Sequence, residues 1–425
     1  MTISELLHES ITLWHRCSTD LPDLGRVYSP AEQAEREERL DRALAVLQAQ
    51  VRKVPRSRSE RHEAHARISD AFMDFARDAM DMDKEQRNLL FEGGFSGIGS
   101  ELGRQARRFD PGVQVAGILQ ACRNAWAACG LQSLFGCPME VTPAIFAYSM
   151  LYPYTDNFLD DETVGREKKI AFTKRLRSRL EGDSPAPMGT LEKKIFDLVG
   201  MIEGQYARPD YHDVYASLLA IHQAQEESIR LLRRSGAPDA DIERVVFAKG
   251  GSSVLVDACL AIGSLSEEQA RFAFQWGVLL QLGDDLQDVH EDRESCLFTL
   301  FSSLAGNESL DRLTSRTLHL ACIVLDRLES VSKGPAALKE LLRNSSMSLI
   351  VRAVGAAADL HSASYIAAVE RYSPFRFAFL RQRRNRLGSQ KQMMEKFFEA
   401  FLEAGAEEPS FPLFPSSLMP RFGGQ

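Results

Sequence analysis

Phe272-Ala273-Phe274-Gln275-Trp276-Gly277-Val278-Leu279-Leu280-Gln281-Leu282-Gly283-Asp284-Asp285-Leu286-Gln287-Asp288 runs an apolar stretch straight into a cluster of carboxylates. Its length and its lack of period-two alternation read as a buried helix, predicted over 266–294. Asp284, Asp288 and Asp292 recur every four residues, so each step drifts only about 40° and the three share a face. Glu291 falls on another side. A second stretch repeats the design, for Ala144-Ile145-Phe146-Ala147-Tyr148-Ser149-Met150-Leu151-Tyr152 leads into Asp156-Asn157-Phe158-Leu159-Asp160-Asp161-Glu162.

A single acidic cluster is more often a solvated face than a site, and 59 acidic residues in 425 give many chance pairs. Two clusters that each end a long apolar stretch are different, because unpaired anions at the edge of a core repel one another and lose hydration unless a cation compensates them. The fitting cation is Mg²⁺, which takes one or two carboxylates and completes its shell with substrate phosphates. Asp156 and Asp160 would hold one side and Asp284, Asp288 and Asp292 the other, with Asp161 and Asp285 beside them as further ligands or holders of ordered water. Below these rims lie Tyr148, Tyr152, Trp276 and Leu280, which read either as core packing or as electron-rich walls for a cation.

The rest of the chain sets the frame. It has 44% hydrophobic and 26% charged residues, 17 prolines and a net charge of −8, a globular composition that argues against nucleic-acid binding. Neither an uninterrupted run of about 18 apolar residues nor a secretory signal is present, so the expectation is a cytoplasmic chain without a transmembrane segment. The seven cysteines have no metal-ligand spacing and are expected reduced and mostly buried. Helical periodicity covers 30–53, 59–81, 84–107, 111–135, 142–162, 166–181, 190–206, 211–234, 239–262, 266–294, 309–331, 335–372 and 383–404. The expectation is an all-α protein with an N-terminal helical extension over 1–108, a catalytic domain over 109–405 and an irregular tail over 406–425.

Lys249-Gly250-Gly251-Ser252-Ser253-Val254-Leu255-Val256-Asp257-Ala258-Cys259-Leu260, then Phe274 to Gly277, then Gln281-Leu282-Gly283-Asp284-Asp285-Leu286-Gln287-Asp288, resembles the second half of a trans-isoprenyl diphosphate synthase. In that family a lysine, a lipophilic helix, a glutamine and a second D-D-x-x-D follow in this order. Asp156-Asn157-Phe158-Leu159-Asp160 resembles the first D-D-x-x-D, with Asn157 in place of the second aspartate. The stretch from Asp284 to Asp292 is also similar, at identical spacing, to the second metal motif of class I terpene synthases. The resemblance covers roughly residues 110–300 and implies an isoprenoid synthase-type helical bundle around a central active-site cavity.

The departures bear on the reaction. The basic G-K-x-x-R-P segment that binds isopentenyl diphosphate in chain-elongating synthases has no counterpart around Phe109 to Gln114, and Gly165-Arg166-Glu167-Lys168-Lys169 replaces the arginine pair after the first motif. The resemblance therefore implies a class I terpene synthase of the prenyltransferase-like type that ionises one allylic prenyl diphosphate. About three Mg²⁺ ions would bind together with the diphosphate. Lys249, Gln281, Arg371 and Tyr372 are its implied diphosphate partners, and a break at Gly250-Gly251 would turn Lys249 toward the ligand. The alternatives are a prenyltransferase or a squalene and phytoene synthase-like condensing enzyme, and a non-catalytic subunit regulating a prenyl synthase. A homodimer is compatible with all three.

Overall fold

The computed structural model describes residues 1–92, 94–161, 163–231, 238–388 and 391–402. Among them the chain is all-α: helices follow one another from Ile3–Arg16 to Lys391–Leu402, and no strand forms. The expected tail over 406–425 lies outside the described residues. Packing divides the chain into two compact units, one of Met1–Pro22 with Ala127–Gly334 and one of Asp23–Trp126 with Pro335–Gln425. This grouping is discontinuous in sequence, whereas the expected boundaries at 108 and 405 follow the chain.

The first unit is built on three long helices, His212–Leu231, Asp239–Ile262 and Glu267–Gln287, the middle one packed extensively against both others. Against it also lie Pro143–Asp160 and the N-terminal helix Ile3–Arg16. That N-terminal helix is absent from the periodicity reading. Its signal is the capping box of Thr2 and Glu5, whose reciprocal hydrogen bonds satisfy first-turn amides. Residues 240–262 are long and apolar enough to cross a membrane by length and composition, but the segment is mostly buried within this unit.

Three expectations about continuity are corrected. The helix expected over 266–294 ends at Gln287 and resumes as Val289–Glu294. The bend at Asp288 is gentle, since its N–H still reaches the Asp284 carbonyl at 2.8 Å and the Asp292 N–H reaches the Asp288 carbonyl at 2.9 Å. The stretch 335–372 likewise divides into Ala336–Ala356, a 3₁₀ turn and Ala363–Glu370. Conversely, Asp239–Ile262 continues unbroken through Gly250 and Gly251. The glycines serve close packing instead: a Cβ on Gly250 would stand 2.7 Å from the Gly277 carbonyl oxygen, and one on Gly251 would overlap the Phe274 ring.

In the second unit, Pro30–Val51 packs against Arg58–Ala79, each started by a serine–glutamate capping box. Arg26 and Arg36 converge on Asp81, and Arg376 pairs with buried Glu37. Arg371 and Tyr372 belong here, just after Ala363–Glu370, with the Arg371 carbonyl accepting the Tyr28 N–H at 2.7 Å.

Candidate active site

The first acidic cluster ends the helix Pro143–Asp160, which contains Pro153. A proline there removes one backbone hydrogen bond and clashes with the preceding turn, which favours a bend before the acidic end. Tyr148, Tyr152 and Asp156 recur every fourth residue and form one stripe. Tyr148 is buried, and Tyr152 and Asp156 keep partial solvent access. The two phenol oxygens are 2.9 Å apart, with rings edge to face at 5.3 Å. Burial, followed for Tyr148 by the neighbouring phenol and then Asp257, and for Tyr152 by Asp257, pushes the two phenols well above their ordinary range. Asp161 follows the helix end, fully exposed, and its Oδ1 accepts from the Thr163 N–H at 2.8 Å and the Thr163 hydroxyl at 2.6 Å. Those bonds hold its carboxyl below the usual range. Asp160 closes the helix, and its side chain lies outside the described residues.

The second cluster is a different environment. The glycine contact brings the backbones of Asp239–Ile262 and Glu267–Gln287 together, and Lys249, next to Gly250, acts electrostatically on both Asp285 and Asp292. Asp285 is buried. Its Oδ1 accepts from the Gln281 amide at 2.7 Å, while Oδ2 has no hydrogen-bond partner. Burial above all, then the charges of Asp292 and Asp284, raises its carboxyl to about 8 against the opposing Gln281 and Lys249. Asp292 is raised to about 7 by burial and then by Asp288, and it accepts from the Thr299 hydroxyl at 3.4 Å. Asp284 and Asp288 keep partial access, and the Gln287 amide donates to Asp288 Oδ1 at 3.3 Å. Glu291 is exposed, off this face.

The structure thus brings Lys249, Gln281, Asp285 and Asp292 together and joins Tyr148 to Tyr152. Trp276 lies about 180° around its helix from Asp285, buried and stacked on Phe272 at 5.9 Å. Three further residues take part that sequence reasoning left unassigned. Asp257 is a charged residue inside the run Val254–Leu260, which is its signal. Ser253 offers its carbonyl to the Tyr148 hydroxyl at 3.5 Å, and Thr299 donates to Asp292. Neither carries a signal short of the fold.

Among the described residues no three His, Cys, Asp or Glu side chains gather closely enough to hold a metal ion by themselves. The donors present still suit Mg²⁺: they are hard carboxylate oxygens, Asp285 Oδ2 is an orphaned buried acceptor, and this cation needs only one or two carboxylates when phosphate oxygens complete its shell.

No known family's sequence profile and no curated protein matches the chain. Among solved structures, a decaprenyl diphosphate synthase from Rhodobacter capsulatus is similar with a TM-score of 0.37 and 12% identity, over 61% of this chain and 96% of that one.

Proposed function

We propose that the chain is a Mg²⁺-dependent class I terpene synthase of the isoprenoid synthase superfamily, ionising a single allylic prenyl diphosphate to a carbocation with release of diphosphate. The observation that carries this reading is the partly buried group of Asp284, Asp285, Asp288 and Asp292 with Lys249 on the helix packed against it. Of these, Asp285 and Asp292 are raised by burial first and then by neighbouring carboxylates, which makes their anions costly without a cation, and such perturbed groups concentrate at functional sites. Mg²⁺, when bound, supplies the Lewis acidity that stabilises the leaving diphosphate.

In this reading Asp284, Asp288 and Asp292 on one wall and Asp156 and Asp160 on the other hold the metal-bound diphosphate. Asp285, fixed by Gln281, orients the group from behind. Lys249 offsets the negative charge that grows on the leaving oxygens. Tyr148 and Tyr152 present ring faces to the hydrocarbon. The missing basic segment near Phe109 to Gln114 favours one diphosphate site over two.

The test incubates the purified chain and Mg²⁺ with allylic prenyl diphosphates of increasing length, with and without labelled isopentenyl diphosphate. Hydrocarbon or alcohol in a hexane extract, with the label untouched, is the expected result. Incorporation of label into a longer diphosphate would overturn the terpene synthase reading in favour of a prenyltransferase.

A further inference from the structure

In the second unit the helices Pro30–Val51 and Arg58–Ala79 pack as a hairpin, joined by residues 52–57. From Arg52 to Ser59 the sequence carries four cations and no carboxylate, in a chain whose net charge is −8. Arg52, Lys53, Arg56 and Arg58 are all exposed. The first carboxylate to follow, Glu60, is turned back onto the connection, where it accepts the Arg56 N–H at 2.7 Å and the Ser57 N–H at 3.1 Å. Among the described residues no ion pair engages the side chains of Arg52 or Lys53. Between these cations stands Val54, 41% exposed, with buried Pro55 beside it restraining the backbone. Charges act over about 10 Å at 0.1 M salt, so the local cations govern contact at this tip rather than the net charge of the chain. A polyanion in solution would answer the cations alone. A layer of anionic headgroups over hydrocarbon answers both the cations and the exposed valine.

We propose that this hairpin tip docks on an anionic phospholipid bilayer, with Arg52, Lys53, Arg56 and Arg58 against the headgroup phosphates and Val54 entering the interface. The docking is independent of the reaction proposed above and is probed without turnover.

The experiment is co-sedimentation of the full chain with vesicles of phosphatidylcholine alone and of phosphatidylcholine mixed two to one with phosphatidylglycerol. The native protein should partition onto the anionic vesicles at least about tenfold more strongly, a comparison that needs no variant. Arg52→Gln, Lys53→Gln and Arg56→Gln together should weaken that binding by about thirtyfold or more. Arg166→Gln, Lys168→Gln and Lys174→Gln make the same change of net charge at exposed positions of the helix Arg166–Glu181, and should alter it by less than about threefold. Val54→Ser, with every charge kept, should weaken it by about threefold. Circular dichroism checks that the variants keep their helices. Equal binding to the two kinds of vesicle, binding to neither, or equal losses in the two triple variants each overturns the docking. Tighter binding of an RNA oligonucleotide or of polyglutamate through Arg52, Lys53 and Arg56 overturns the choice of a membrane as partner, and an unaltered Val54→Ser overturns the insertion of that residue.

Discussion

The two acidic clusters look alike in sequence and differ in surroundings. The first spills over the end of its helix, with Asp156 half-buried and Asp161 exposed and capped by Thr163. The second lies along a helix whose backbone touches its neighbour at Gly250 and Gly277, and there two carboxyls are raised to about 8 and about 7. Hydration and local hydrogen bonds keep a carboxylate ionised at the first; at the second, burial and mutual repulsion disfavour the charge. The contrast teaches that motif spacing gives the face a carboxylate shares, while its chemical state depends on what the rest of the fold packs around it.

The comparison breaks most sharply under substitution. Asp288→Ala, which removes one of the proposed oxygen ligands, is expected to cost on the order of 3 kcal/mol in the transition state, at least about a hundredfold in turnover. Asp161→Ala and Glu291→Ala should stay within about threefold, their side chains being exposed. Turnover assays with circular dichroism check this, and a dead Glu291→Ala beside a working Asp288→Ala would show the wrong face has been assigned.

A smaller effect concerns what forces the second cluster into its environment. Gly277→Val puts a side chain against the Gly250 carbonyl, so unfolding in urea should show about 1–3 kcal/mol of lost stability. Gly165→Ala, beside the first cluster and with nothing within 4 Å of its Cβ, should change little. Equal losses would mean the glycine seam does not set the helix spacing.

The least perturbing test leaves the chain unmutated. Asp285 and Asp292 are raised in the free protein, so at pH 7 they retain a share of protons that an ordinary carboxylate has lost, whereas Asp161 is already ionised. Cation binding needs deprotonated ligands, so Mg²⁺ with pyrophosphate should release protons near pH 7. Calorimetry in buffers of different ionisation enthalpy reads that release. A binding heat independent of buffer would place the titrating carboxyls outside the site.

Much of the local structure was legible in the chain. Helical periodicity placed Pro143–Asp160 and Asp239–Ile262 closely, because their apolar residues repeat with the helical turn. The bend at Asp288 was not legible, since no proline or glycine marks it and its hydrogen bonds persist. Nor was the work of Gly250 and Gly251: propensity assigns a cost to two adjacent glycines in a helix, and only the facing Gly277 and Phe274 explain why they stand there. Asp257 was visible as a charge in an apolar run, but its neighbours Tyr148 and Tyr152 come from about a hundred residues earlier.

By itself the sequence determined the helical class and which residues share a stripe, since hydrogen bonding within a helix and its 3.6-residue period are local. Tertiary structure decided which helices pack together, which carboxylates are buried, and that the charge of Lys249 acts on Asp285 and Asp292. Those outcomes depend on packing and desolvation between segments distant along the chain, and no spacing within one segment encodes them.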